Sequence, residues 1–143
     1  MSTVTRRSIY GKLAGDTTLN ALLGAAAPGY TKAIYHDEAP QGSYFPLVTF
    51  SKSSGVPTDT FGKPAALDTD IWLVKAIDRN NSADTAEAIA ARLTALLNDA
   101  PLSISGHDLL YLRRESDVEY PEVTAGVSYR HCGSLYRLVT EPS

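Results

Sequence analysis

The fold is decided by residues 33–78, which begin AIYHDEAPQGSYFPLVTFSKSSG (33–55) and end ALDTDIWLVKAID (66–78). Ala33–His36 predicts a brief strand. Leu47–Ser53 is rich in β-branched and aromatic residues and predicts a second strand. Leu67–Ile77 alternates and is apolar on both faces after its first residues, which is typical of a central strand. These three segments place a β-sheet at the centre of the fold.

Two loops are predicted between these strands, because proline and glycine interrupt the pattern at both places. The first is Asp37–Phe45. The second is Ser53–Pro64, and irregular segments of that length are commonly functional or mobile. The lone aromatic residue Phe61 lies in this loop. We expect the loop to be mobile in the isolated subunit and ordered in an assembly, although Phe61 folded back onto its own domain is an equal alternative.

A helix is predicted over Ser82–Asn98, where apolar residues recur at helical spacing. Asn81 or Ser82 is the expected N-cap, and Pro101 lies beyond the expected end. A shorter helix is predicted over Val4–Leu13, followed by one and a half helical turns that carry three leucines.

Two further strands, Leu109–Arg114 and Val127–Val139, complete the predicted sheet, and the acidic, proline-containing segment Asp117–Ala125 is predicted as a loop. Thr140–Ser143 is expected to be a frayed tail. Strands that follow one another without a helix favour antiparallel pairing. The predicted fold class is therefore α+β: one domain over residues 1–143, with a mainly antiparallel sheet, a long helix on one face and a short N-terminal helical segment.

The predicted core combines the apolar stripes of the helices with one face of the strands. Its members are Ile9, Leu13, Leu22, Val48, Phe50, Ile71, Leu73, Ile89, Leu93, Leu96 and Leu97.

Composition excludes several classes of function. The 143 residues suit one domain, and the 13 basic against 16 acidic residues give a net charge of -3, which does not favour nucleic-acid binding as the main task. Cys132 is the only cysteine, so no internal disulfide forms and a reducing compartment is expected. The N-terminal residues lack the apolar region of a secretory signal, and no run approaches the roughly 20 apolar residues of a membrane span.

The search for chemistry predicts no catalytic, cofactor-binding or metal-ligating residue. The three histidines, His36, His107 and His131, show no metal-ligand spacing. His131 and Cys132 are adjacent on a predicted strand and so face opposite sides, which separates the thiol from a base. The carboxylates of Asp37–Glu38 and of residues 115–122 are interpreted as solvated loop charges. A small enzyme or ligand-binding domain that uses the Trp72 face and the histidines stays open as an alternative.

The order of these motifs resembles the tail completion or tail terminator family of long-tailed bacteriophages and gene-transfer particles. The resemblance rests on IYHDEAPQGSYFPLVTFSKSSG (34–55), LDTDIWLVKAID (67–78), SADTAEAIAARLTALLND (82–99) and GVSYRHCGSLYRLV (126–139). It implies a structural virion protein, made in the host cytoplasm and placed at the tail–neck junction, with no catalytic residue.

The resemblance also implies partners. Similar proteins form a homo-oligomeric ring, typically of six subunits, that caps the tail tube and joins it to the head–tail connector or stopper protein, and DNA passes through such a ring. The loops Ser53–Pro64 and Asp117–Ala125 are the candidates for ring and tail contacts, on loop length alone. Another neck protein, such as a head-completion or stopper subunit, is the closest alternative.

Overall fold

The computed structural model describes residues 2–142, without the side chains of residues 2, 60 and 63–65. Within the described residues, two helices are followed by three strands, a third helix and two further strands. Their bounds are α1 Ser2–Ala14, α2 Thr17–Leu22, β1 Ile34–His36, β2 Leu47–Thr60, β3 Lys63–Asp78, α3 Asp84–Leu97, β4 His107–Thr124 and β5 Val127–Pro142.

The five strands form one sheet in the order β1-β2-β3-β5-β4. β1 pairs parallel with β2, and the other three pairings are antiparallel. The predicted α+β class with one sheet is therefore confirmed. The finer prediction, a mainly antiparallel sheet under a long helix, is matched only in part. The sheet is mixed, and the helices are short, with 14 residues in α3.

The helices pack on one face of the sheet, which we call the helix face. Four α3 residues spaced by three or four positions are buried there: Ala86, Ile89, Leu93 and Leu97. They meet aromatic and aliphatic side chains of the central strands, among them Phe50, Trp72, Val74, Tyr136 and Leu138. The opposite side of the sheet, which we call the open face, carries the half-buried residues Ile71, Leu73 and Leu135.

The core prediction is wrong for β3 and for α2. Ile71 and Leu73 point to the open face, while Trp72 and Val74, each 1% exposed, point to the helix face. Both faces of β3 are apolar, so alternation alone did not decide which face the helices cover. In α2 the buried leucine is Leu19, and Leu22 is 38% exposed. The remaining predicted core residues are buried, except Leu96, which is half-buried against the same core.

The N-terminal end of α3 is fixed by a different contact from the one predicted. The N-cap of α3 is Ala83, without a side-chain cap bond, and the Ser82 hydroxyl accepts a bond from the Asp84 backbone N–H. At the start of α2, Asp16 is the N-cap and accepts a 2.7 Å bond from the Leu19 N–H. The same carboxylate makes a two-pronged ion pair with Arg92 of α3, at 2.7 and 2.9 Å. This pairing is the main reason why the pKa of Asp16 is lowered.

The C-terminal residues are also more ordered than predicted. Thr140 is fully buried and lies in β5 opposite Leu109, and the strand continues to Pro142. A frayed tail from Thr140 onward is therefore wrong, and Ser143 lies outside the described residues.

Candidate assembly surfaces

The first candidate surface is a hairpin formed by the outer parts of β2 and β3. The ladder between these strands continues from Leu47↔Ile77 to Thr60↔Lys63, and Phe61-Gly62 makes the turn, with Gly62 at φ 77°. The prediction of a loop over Ser53–Pro64 is thus wrong. Beyond β1, which covers only residues 48–50 of β2, this part of β2 is an edge, and edge strands tolerate a proline such as Pro57.

We call residues 56–69 of this hairpin the first arm. β5 pairs with β3 only up to Asp68↔Thr140, so the outer pairs of the arm have no third strand beside them. At about 3.3 Å per residue, the arm extends roughly 20 Å past the sheet. Its tip carries Phe61, whose relative exposure is 109%, and Val56 on its flank is 60% exposed.

The second candidate surface is the hairpin formed by β4 and β5. Their ladder continues to Thr124↔Val127, and the turn is Ala125-Gly126, with φ of 53° and 77°. The predicted loop Asp117–Ala125 is therefore wrong up to Thr124. β4 is an edge strand, so Pro121 and the acidic residues around it are compatible with a strand there.

We call residues 121–130 the second arm. The β3–β5 ladder ends at Asp78↔Arg130, so the arm extends roughly 15 Å past the rest of the sheet. Val123, close to its tip, is 70% exposed. The first arm leaves the sheet beside the C-terminal end of β5, and the second arm contains its N-terminal end. The two apolar tips therefore project from opposite ends of one sheet.

A polar network holds the base of the second arm on the open face. The Tyr120 ring stacks on the His131 ring at 4.4 Å, and the Lys75 ammonium donates to the Tyr120 hydroxyl at 2.6 Å. His131 Nε2 lies 2.6 Å from a Glu122 oxygen, and Glu122 also accepts from the Thr124 hydroxyl at 2.8 Å.

Burial shapes the titration of this network. It lowers the pKa of His131, against the opposing effect of the bond to Glu122. The pKa of Glu122 is lowered by its bonds from Thr124 and His131. The Nε2–H of a neutral His131 donates to the ionised Glu122 carboxylate, so this bond and the ring stack with Tyr120 suit bracing of the hairpin.

The structure does not bring the residues considered for chemistry together. His36 lies on the helix face near Trp72, with ring centres 6.3 Å apart, whereas His131 is on the open face and His107 begins β4. Cys132 is buried on the helix face, so the prediction that it faces away from His131 is confirmed. Burial raises the pKa of the thiol to about 11, which keeps it protonated and a poor nucleophile.

The described residues 2–142 were searched for a metal site and for a membrane-spanning helix. No group of three or more His, Cys, Asp and Glu side chains in this range is placed to hold a metal ion. No helix in the same range has the length and apolar character needed to cross a membrane.

Two acidic side chains in the middle of β4 are engaged in surface ion pairs. Glu115 pairs with Arg137, and Asp117 lies 2.9 Å from Arg114. Arg113 instead pairs with Asp99 at 2.7 Å, so the two successive arginines have different partners. These carboxylates are strand charges and not the loop charges that we predicted.

The sequence contained only a weak signal for the two turns. Each turn ends in glycine, at Gly62 and Gly126, but Phe-Gly and Ala-Gly are not among the Asn-Gly and Asp-Gly pairs that mark a two-residue hairpin most strongly. The prolines in the same segments therefore favoured a loop. The Tyr120–His131 contact was not predictable without the strand register.

In this α+β fold the described helices cover one face of the sheet, and two arms with exposed apolar residues extend from it. Such an arrangement suits a structural subunit that acts through protein contacts. The family comparison agrees with this class. The chain belongs to the Tail completion protein gp17 family, whose family model matches residues 7–128. It is thus a structural tail protein and a component of a virion.

Two solved structures share the fold. A chain of the virion of a native gene transfer agent particle has 22% sequence identity and a TM-score of 0.69, over 94% of this chain and 92% of that one. A second solved chain, of no stated function, has 15% identity and a TM-score of 0.55, over 100% of this chain and 96% of the other. No curated protein sequence matches the chain.

Proposed function

We propose that this protein is a non-enzymatic tail terminator: a ring of six copies that caps the end of the tail tube and joins the tail to the head–neck connector. Membership of the tail completion family and the fold shared with a chain of a gene transfer agent virion support this role. The partners are further copies of the chain, the major tail tube protein and the connector or stopper protein. DNA would pass through the ring without specific binding, as expected from the net charge of -3.

The observation that carries the proposal is the pair of arms at opposite ends of the sheet. A terminator subunit must contact its ring neighbours and the tube at the same time, so it needs separate surfaces for each. Val123 on the second arm and Phe61 on the first are exposed apolar residues at opposite ends of the molecule. Aromatic residues are enriched at interfaces, and burial of an exposed valine or phenylalanine against a partner is favourable. We assign the contact with the tail tube to the second arm.

Electron microscopy of negatively stained tail tubes tests this function. Purified protein mixed with tubes is expected to appear as a cap on one tube end. Val123→Ser is expected to abolish the cap while leaving the size of the free oligomer unchanged, because the substitution removes an exposed contact and no core. The matched control is Val56→Ser, which makes the same change at a residue 60% exposed on the other arm.

Two outcomes would overturn the proposal. If the protein binds isolated portal or connector particles and leaves tube ends bare, it is a stopper or other neck protein. If Val123→Ser and Val56→Ser cap tubes equally well, the second arm is not the tube contact.

A further inference from the structure

A surface hollow on the helix face lies beside the edge of the sheet. It has a volume of about 290 Å³ and is lined by Arg6, Arg7, Tyr10, His36 and Phe50. Its walls are mainly aromatic: the Phe50 ring lies 5.4 Å from the His36 ring and 6.4 Å from the Tyr10 ring. An enclosed cavity of about 150 Å³ is enough to hold a benzene ring, so this hollow has room for one phenyl side chain.

The first arm offers a matching group. Phe61 projects from the tip with no part of its ring covered, and so large an apolar side chain in water is unfavourable unless another surface takes it up. Aromatic rings favour edge-to-face and offset contacts with other rings, and guanidinium groups stack on aromatic faces. Arg6 and Arg7 supply such guanidinium groups in the lining of the hollow.

The arm cannot deliver Phe61 to the hollow of its own chain. Phe50 and Phe61 are separated by eleven positions of nearly continuous strand, roughly 35 Å when extended. The arm remains paired as far as Thr60↔Lys63, so it does not fold back. Phe61 therefore meets such a hollow only on another molecule.

We propose that Phe61 of one subunit inserts into the hollow formed by Tyr10, His36 and Phe50 of the next copy, with Arg6 and Arg7 at its rim. Because the inserted residue and the hollow are different surfaces, the contact is head-to-tail, and repetition of such a contact closes a ring when its rotation allows. The inference rests on the ring of the proposed function and identifies the contact that builds it.

Sedimentation velocity and mass photometry of purified variants test the contact. Phe61→Ser removes the inserted ring, and Arg7→Glu reverses a charge at the rim of the hollow, where Arg7 is exposed. Each is expected to raise the dissociation constant of self-association at least about tenfold, the range expected for an interface anchor. The matched controls, Val56→Ser and Arg79→Glu, make the same changes at exposed positions outside the contact and are expected to assemble like the wild type.

Mixing the two variants makes the test directional. The Phe61→Ser chain keeps an intact hollow, and the Arg7→Glu chain keeps an intact Phe61, so one functional contact remains between them. The mixture is expected to give a two-chain species and no ring. Circular dichroism spectra like that of the wild type, together with unchanged melting temperatures, would show that both variants are folded.

Three results would overturn the inference: wild-type assembly by Phe61→Ser, full-size rings from the mixture, or a wild-type chain that is monomeric both alone and on tubes. The tube-capping assay separates this result from the proposed function. If the Phe61→Ser variant still forms rings that cap tubes, the proposed contact is contradicted and the proposed function is not. Rings that depend on Phe61 but never cap tubes support the contact and contradict the terminator role.

Discussion

The two arms are both β-hairpins with glycine-containing turns, but their bases are held in different ways. The second arm is braced by side chains: Tyr120 stacks on His131 and accepts a hydrogen bond from Lys75, and the Arg130 guanidinium donates to the Asn81 carbonyl at 2.9 Å. The first arm leaves the sheet above the buried Asp70, which pairs with Lys52 at 3.4 Å.

Beyond that pair, residues 56–59 on the β2 strand of the first arm have exposed side chains, and Ala66 is a small buried residue on its β3 strand. Backbone ladder bonds hold it, and few buried side chains add to them. A hairpin of this kind retains freedom to twist, whereas a braced hairpin presents its tip in a preset position. The difference suits an adjustable contact between identical subunits at one end and a fixed docking point at the other. The following predictions test it in order of decreasing effect.

The largest effect is expected from the core that supports both arms. Leu93 is fully buried between α3 and the sheet, so Leu93→Ala is expected to lower the free energy of unfolding by about 2–5 kcal/mol. Denaturant melts measure this, and hydrogen exchange should rise at the bases of both arms alike. Leu110→Ala is the control, because Leu110 is 47% exposed and its loss should cost under about 0.5 kcal/mol. Equal losses for the two variants would mean that the helix stripe is wrongly placed.

A smaller effect, confined to one side, is expected at Gly133, which lies beside Lys75 in the central ladder. A Cβ there would lie 2.2 Å from the Val74 carbonyl oxygen and 2.4 Å from the Lys75 Cα, so the two strands would have to separate. Gly133→Ala is expected to cost about 1–3 kcal/mol and to loosen the second arm more than the first. Gly11→Ala is the comparison, because the helical Gly11 has open space and alanine should stabilise the helix by up to about 1 kcal/mol. Tolerance of Gly133→Ala without change would contradict the close approach.

Low pH is expected to destabilise the second arm more than the first. The folded pKa of His131 lies below its ordinary value of 6.5, so its contribution to stability is complete above pH 6.5 and is lost as the pH falls through the folded pKa. The folded pKa of Glu122 is also lowered, and its contribution is lost below about its ordinary 4.5. Hydrogen-exchange protection factors, which correct for the intrinsic slowing of exchange in acid, should therefore fall in the second arm before the first between pH 7 and 5. His131→Gln should remove the part of this change that begins near pH 6.5, and an identical pH response in both arms would contradict the bracing.

The smallest effect is expected at Cys132. Its thiol has a pKa of about 11 and contacts the core, so Cys132→Ala should cost no more than about 1 kcal/mol and leave assembly intact. Thiol-specific reagents at neutral pH should label the native protein far more slowly than the denatured protein. Rapid native labelling, or loss of assembly with the fold preserved, would reveal a role for the thiol.

Sequence periodicity predicted the parts of the fold in which one face is clearly apolar. The α3 stripe around Ile89 and Leu93 and the existence of β3 were predictable for this reason. The two arms were not predictable, because edge strands accept prolines such as Pro57 and Pro121 that central strands reject. The face of β3 that the helices cover was not predictable either, because Trp72 and its neighbours make both faces apolar. Contacts between distant segments depend on register and packing, which no local pattern encodes.

The outer edge of β4 has a consequence for how this chain behaves at high concentration. The strand is 18 residues long and borders the sheet, so its outer side is a site where a further strand could add. Register irregularities between Leu109 and Tyr111 and between Arg114 and Ser116 bend it, and Pro121 lacks an N–H to donate. Exposed charges, including Glu119, line the same strand. These features make this edge of the sheet a poor template for fibrils.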